Sequence, residues 1–541
     1  MAQPPVEVYG QLPLTRSMSI SPNSKLVSYL SRQEDGTELA VIYDLENKAP
    51  VSAVGTSETK ARSIDFAGND FAILRASDTT RLFGFRGQFE YSAAFSLDLK
   101  NKKIRQLLSG SDDLFPAQSG LGRIIGIDES GERVYMPAYI GSRGSDPSYG
   151  VMRVSLKTGR GRVSTKGRAV TRDWIVDKKG EPLAIEDYNN KNNRYTLRAR
   201  RDGKYVSLVD VKAEIPPMSL VGIRTDGRAL IVSSRFKGQN TNELSEIDIL
   251  TGKVTTAFRR DDREVDYILR DLNQRVIGVQ YSGLYPAYDF YDPDMSTTMA
   301  GLVDYFAGSS VSLESFSSDL NTIIIHVSGG DRAPAFYQFG REGRRLVRLA
   351  SEYDGITDEN VMPTVEVTYP ARDGEKIPGV LTYPRGWNFD RRLPTLIMPH
   401  GGPEAHDSVR FDWMAQFFAS RGYLVLQPNF RGSDGFGAKH KLAGRGEWGR
   451  GVMQHDVTDG LNAMIKTGWA DADRVCIVGA SYGGYAALAG GAFTPKKYKC
   501  IAAVAPVTDL VKMIFDERRD SGSDSWVVTY WKLLIGDPRS E

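Results

Sequence analysis

A chain of 541 residues, 41% hydrophobic and 25% charged, has an ordinary globular composition with room for two large cores. Its 69 Lys and Arg stand against 67 Asp and Glu, a formal charge of +2, so no charge excess points to nucleic acid or to a membrane surface. No stretch approaches the roughly 20 apolar residues that a membrane helix needs.

The opening Met1-Ala2-Gln3-Pro4-Pro5-Val6 lacks the charged and apolar regions of a signal peptide, so the chain as written reads as soluble and cytoplasmic. Ala-Gln-Pro-Pro directly after Met also fits a mature secreted N-terminus with a start codon added, which keeps a periplasmic origin open. From about residue 17 to 350 there is no long helical period. Instead one unit recurs seven times, with first strands near Ser19-Ile20-Ser21, Ser63-Ile64-Asp65, Ile124-Ile125-Gly126, Asp173-Trp174-Ile175, Leu220-Val221-Gly222, Val265-Asp266-Tyr267 and Val311-Ser312-Leu313. The steps between them are 44, 61, 49, 47, 45 and 46 residues, and a Gly/Ser/Asp-rich loop lies around Gly141 to Gly150. A period of that length, with about four strands per unit, predicts a seven-bladed β-propeller over residues 1–355, N-terminal extension included. A large β-sandwich is the competing expectation.

Residues 356–541 change pattern. Val361–Tyr369 and Pro378–Tyr383 predict a hairpin; Pro394–Met398, Tyr423–Pro428, Arg474–Val478 and Cys500–Ala505 predict buried strands; Phe411–Arg421, Asp456–Lys466 and Gly484–Phe493 predict helices between them. Alternation of buried strands and helices means a doubly wound, mostly parallel sheet. Cys476 and Cys500 fall on two of these strands as small hydrophobes and are expected to be free thiols.

Three glycine-bearing loops follow strands of this sheet, at the ends where such folds place active sites: His400-Gly401-Gly402-Pro403, Asn429-Phe430-Arg431-Gly432-Ser433-Asp434-Gly435-Phe436-Gly437, and Gly479-Ala480-Ser481-Tyr482-Gly483-Gly484-Tyr485. The last puts a serine on a sharp strand-to-helix corner, flanked by glycines because larger residues would collide there. Ser481 is the candidate nucleophile, and the backbone N–H groups of Tyr482 and Gly401 can hold an acyl oxyanion. His400 precedes the serine and reads as shaping the oxyanion loop, while His406, His440 and His455 read as surface or loop residues. Arg431 either holds its loop or touches substrate. No metal-ligand spacing and no phosphate-binding loop is present, so no cofactor is expected.

These three signatures, together with the propeller, resemble the prolyl oligopeptidase family of serine peptidases, and within it the acylaminoacyl-peptidase-like branch. The resemblance implies a β-propeller followed by an α/β-hydrolase domain, oligopeptide substrates admitted past the propeller, and an acyl-enzyme on Ser481. It also implies an acid and then a histidine after the nucleophile. Only 60 residues follow Ser481, and all five histidines (His326, His400, His406, His440 and His455) precede it. The expectation is therefore an α/β-hydrolase sheet lacking its last strands, a chain cut inside a domain with an exposed apolar edge, and at most feeble activity. Two other classes compete: a catalytically dead propeller protein that binds peptides or partners, and an esterase on the same fold.

Overall fold

The computed structural model describes residues 3–56, 58–81, 87–116, 118–142, 146–234 and 243–539. Within residues 15–351 the strands fall into seven blades. Four-stranded antiparallel sheets span 15–55, 60–106, 126–165, 171–212 and 310–351. The two remaining blades fuse: the first strand of blade five, Met218–Arg224, pairs in parallel with Arg275–Tyr281 of blade six through Ile223 and Arg275. Each expected first strand lies at the start of a blade, including the short Gly126–Ile127. Of the expected loop around residues 141–150, positions 143–145 lie outside the described residues; its flanks Ile140 and Ser148 are strand partners.

Blade six departs from the four-strand expectation. After its third strand, Ala287–Phe290, the chain forms a 13-residue helix, Pro293–Tyr305, instead of a fourth strand. Asp292 caps it by accepting from the Asp294 N–H, and Pro293 at the first turn has no N–H to leave unsatisfied. Met295, Met299 and Leu302 recur at i, i+4 and i+7 and bury against Leu269, Tyr288 and Phe290. That period is real but only two turns long, which is why it escapes a search for long helices.

The first strands of blades one, two, six and seven, with segment 121–131 of blade three, line a cavity of about 1240 Å³ whose wall carries Asp65, Arg75, Arg123, Arg270 and Glu314 beside Ile20, Phe66 and Leu269. The last propeller strand is Arg345–Ser351, and the next strand, Thr364–Pro370, belongs to the second sheet. The N-terminal helix Val6–Gly10, though early in the chain, packs on the second domain: Tyr9 meets the Phe417 ring edge-on at 5.8 Å, and Arg421 lies over both rings.

The second domain is built on a six-stranded sheet of β1 (Thr364–Pro370), β2 (Lys376–Thr382), β3 (Leu393–Ile397), β4 (Leu424–Pro428), β5 (Ala470–Ala480) and β6 (Cys500–Val504), in the order β1-β2-β4-β3-β5-β6. β3 to β6 are mutually parallel, and β1 and β2 form the antiparallel hairpin at one edge. The longer helices are α1 (Trp413–Ser420), α2 (Val452–Lys466), α3 (Tyr482–Phe493), α4 (Leu510–Ser521) and α5 (Trp526–Ile535), with a short helix at Ala438–Leu442. α2 lays Met453, Val457, Leu461 and Met464 on Ile377, Leu426 and Ile477 of the sheet, the side-chain spacing that a helix needs to bury one stripe. Ile501 and Val504 on β6 are exposed.

The free-thiol expectation is overturned. Cys476 on β5 and Cys500 on β6 are register partners, with Cα atoms 4.7 Å apart, and form a disulfide. With a sequence separation of 24, the chain between them makes one strand-helix-strand crossover, which returns the second cysteine beside the first; the strand pattern carries the pairing, but only once register is known.

Candidate active site

Ser481 caps α3 at φ 56° and ψ −121°, a left-handed conformation that is strained for a residue with a Cβ, and it is exposed at the carboxyl end of β5. Its N–H donates to the Val504 carbonyl at 3.0 Å and its carbonyl accepts from Tyr485 at 3.0 Å, so the corner is tied to β6 on one side and starts the helix on the other. The flanking glycines are needed for space. A Cβ on Gly479 would run into the Gly483 backbone, and a Cβ on Gly483 would strike the Pro399 carbonyl and come within 3.0 Å of the His400 carbonyl.

Gly401 stands directly against this corner: a Cβ on it would be 3.6 Å from the Ser481 Cβ and 3.3 Å from the Ala480 carbonyl. The N–H of Tyr482 belongs to the first turn of α3, where helical geometry supplies no acceptor. The Tyr482 side chain points the other way, buried against Phe430 and Trp448 with its hydroxyl 3.7 Å from Met453 Sδ. That burial anchors the residue that carries the candidate N–H. Gly402, at φ 117°, is followed by a cis bond to Pro403.

His400 is held on both ring nitrogens, Nδ1 to the Gly401 carbonyl at 2.8 Å and Nε2 to Ser433 Oγ at 2.8 Å, and it stacks on Phe430 at 4.5 Å. Burial pulls its pKa down to about 4, with the Gly401 carbonyl opposing. The ring is neutral at pH 7, so Nδ1–H donates to Gly401 and Nε2 accepts from Ser433. A ring engaged this way orients the Gly401 peptide. The linkage sign follows: the folded pKa lies below the usual 6.5, so the unfolded chain binds more protons between pH 6.5 and 4 and stability falls as pH drops through that window. We expect His400 to account for roughly 3 kcal/mol of that loss. Urea unfolding at pH 7 and pH 4.5 checks it, because the loss should be clearly smaller in His400→Asn; an equal loss in both proteins would contradict it.

The other histidines have different settings from those expected. His440 Nε2 lies 3.0 and 3.1 Å from the carbonyls of Asn429 and Phe430, and His406 packs edge-on to Phe436; both are largely enclosed, and burial lowers both pKa values. His406 is a loop residue, and His440 lies on the short helix Ala438–Leu442; both are partly buried. His455 lies on α2, and His326 in the propeller pairs with Glu352 at 2.8 Å.

Arg431 resolves toward the loop-holding alternative. Its Nε and terminal nitrogen donate to the two oxygens of Asp456 at 2.9 and 2.7 Å, its backbone N–H reaches Asp456 Oδ2 at 2.9 Å, and its other nitrogen pairs with Asp373 at 2.5 Å. With the guanidinium buried and committed to two carboxylates, the substrate-contact assignment is withdrawn. Sequence reasoning missed Asp456, whose partner is 25 residues away, and it missed Asn429 as the clamp of the 400–409 loop, bonded to the Asp407 N–H at 2.7 Å and carbonyl at 2.9 Å. Among the described residues no group of three or more His, Cys, Asp and Glu could hold a metal ion.

Ser481 thus stands on a glycine-flanked corner, beside a His-Gly-Gly loop, at the carboxyl edge of a parallel sheet in a chain that also carries a seven-bladed propeller. The prolyl oligopeptidase family model matches residues 409–529. Dipeptidyl aminopeptidase BIII of Pseudoxanthomonas mexicana is 26% identical over 98% of this chain and 75% of its own length. Acylamino-acid-releasing enzyme 1 of Oryza sativa is 32% identical over 26% of this chain and 18% of its own. A puromycin-hydrolyzing peptidase of Mycobacterium tuberculosis superposes with TM-score 0.68 at 16% identity, covering 98% of this chain and 82% of that one. Pyrococcus horikoshii acylaminoacyl peptidase gives 0.68 at 14% identity over 100% and 84%. Residues 409–529 thus resemble the prolyl oligopeptidase family, and the whole chain shares the fold of these peptidases.

Proposed function

We propose that this chain hydrolyses short peptides through an acyl-enzyme on Ser481. The observation that carries the reading is the exposed, left-handed Ser481 with Gly401 packed against it, so that one carbonyl group can meet the hydroxyl and both candidate N–H donors together. Ser481 Oγ attacks the scissile carbonyl carbon, the N–H groups of Tyr482 and Gly401 stabilise the resulting oxyanion, collapse expels the amine, and water then cleaves the ester. The propeller cavity, about 1240 Å³ with charged walls, favours small or unfolded peptides over folded proteins. The names of the relatives, aminopeptidases and acylaminoacyl peptidases, support peptide substrates.

Among the described residues no histidine is hydrogen-bonded to Ser481 Oγ. His400 is neutral but engaged on both nitrogens, His440 faces two carbonyls, and His326 is paired in the propeller. Loss of the base costs on the order of 10⁶ in kcat in a serine peptidase, leaving only the rate supplied by the oxyanion donors and binding. The 541-residue chain should therefore turn over a short peptide anilide feebly, faster with added imidazole, and Ser481→Ala should abolish even that. Anilide release that is unchanged in Ser481→Ala would sink the reading. The histidine settings favour a second reading, a peptide-binding protein without turnover; calorimetric binding of a peptide, with no anilide release in the presence of imidazole, would select it.

A further inference from the structure

We infer that Glu264, a propeller residue, is a positioning residue for the oxyanion loop; the inference rests on the reading of Gly401 as an oxyanion donor. Glu264 precedes the first strand of blade six, Val265–Arg270, and is 2% exposed. Its Oε2 accepts the N–H of Gly435 at 2.9 Å and of Gly437 at 3.1 Å, both in the loop after β4. Its own backbone is fixed by Ser282, whose N–H and hydroxyl both reach the Glu264 carbonyl at 3.0 Å.

Gly435 and Gly437 have φ of 94° and 86°, a left-handed path that turns two N–H groups onto one carboxylate oxygen. The contact is close: a Cβ on Gly435 would lie 3.2 Å from the Ser282 Cβ and 3.3 Å from His406 Cγ. Burial and Asp434 raise the Glu264 pKa, and the two N–H groups and Lys441 oppose them.

From this anchor two bonded routes lead to the His-Gly-Gly loop. In the first, Ser433 Oγ bonds Nε2 of His400, whose Nδ1–H donates to the Gly401 carbonyl. In the second, the Asp434 N–H donates to the Ala405 carbonyl at 3.1 Å, and Lys441 bridges Asp434 and Glu404 at 3.0 Å each. Both routes start within two residues of Gly435. The propeller therefore sets the register of the 433–437 loop, and that loop holds the peptide after Gly401, the neighbour of the peptide that carries the candidate Gly401 N–H. Domain docking and oxyanion geometry are one structural unit, joined across 171 residues of sequence.

Hydrogen–deuterium exchange on the full chain tests this without requiring turnover, so it fails independently of the peptidase reading. Glu264→Ala and Glu264→Asp, the second too short to reach both N–H groups, should speed exchange about tenfold in segment 433–437 and also in 400–406. Glu264→Gln keeps an acceptor oxygen at the same reach and should restore both segments. Glu264→Asp stays informative if Glu264→Ala does not fold. Faster exchange confined to 433–437, no change in either segment, or a Glu264→Gln protein indistinguishable from Glu264→Ala would each overturn the assignment.

Discussion

Replacing Asp456 with alanine should destabilise the second domain by about 3–5 kcal/mol, the range for removing one partner of a buried ion pair. Asp456 is fully buried on α2 and takes three donors from Arg431, which is itself 8% exposed. Alanine leaves a guanidinium and a backbone N–H without their acceptor, and Asp373, half-exposed on the other side, can satisfy only one nitrogen. The loss arises from the orphaned charge more than from the pair itself. The double substitution Arg431→Met with Asp456→Leu should therefore recover much of the loss, and urea denaturation of the three proteins measures it. A single Asp456→Ala cost below about 1 kcal/mol would show that the pair does not hold the loop after β4.

The second large effect is expected from Gly483→Ala. The added methyl group meets the Pro399 and His400 carbonyls, which are backbone and cannot rotate away. Either α3 moves off the sheet or the His-Gly-Gly loop is pushed from Ser481. Overpacking of this kind typically costs about 1–3 kcal/mol, and here it also separates the candidate nucleophile from its oxyanion donors. Gly301→Ala is the matched control, with open space around it in the propeller helix, and it should be neutral or stabilising by up to about 1 kcal/mol. Thermal unfolding of both proteins, with acylation of Ser481 measured alongside, separates a steric effect from a general intolerance of alanine. Equal behaviour of the two substitutions would contradict the close packing of α3 on the His400 loop.

The propeller and the serine corner were legible because their signals are local. A first strand such as Ser63-Ile64-Asp65 and its turn lie within a few residues, and seven repeats reinforce one another. The corner at Ser481 announces itself because space beside β5 forces glycine at 479 and 483. What stayed hidden depends on pairing across distance. Cys476 meets Cys500 only after the parallel register is set. Arg431 had two roles open until Asp456 was found against it, and Glu264 has no local signal at all, since its partners are two backbone N–H groups in the other domain. The helix Pro293–Tyr305 was missed for another reason: a two-turn apolar stripe inside a strand-rich region is outvoted by its surroundings.

The central claim is that Ser481 is the acylated nucleophile, and intact-mass analysis with peptide mapping after incubation with an activated short-peptide p-nitrophenyl ester tests it most directly. An activated ester compensates in part for a serine without a neighbouring base. The account predicts one acyl adduct on Ser481, formed faster with imidazole and absent from Ser481→Ala. Acylation elsewhere, or an adduct that persists in Ser481→Ala, would contradict it.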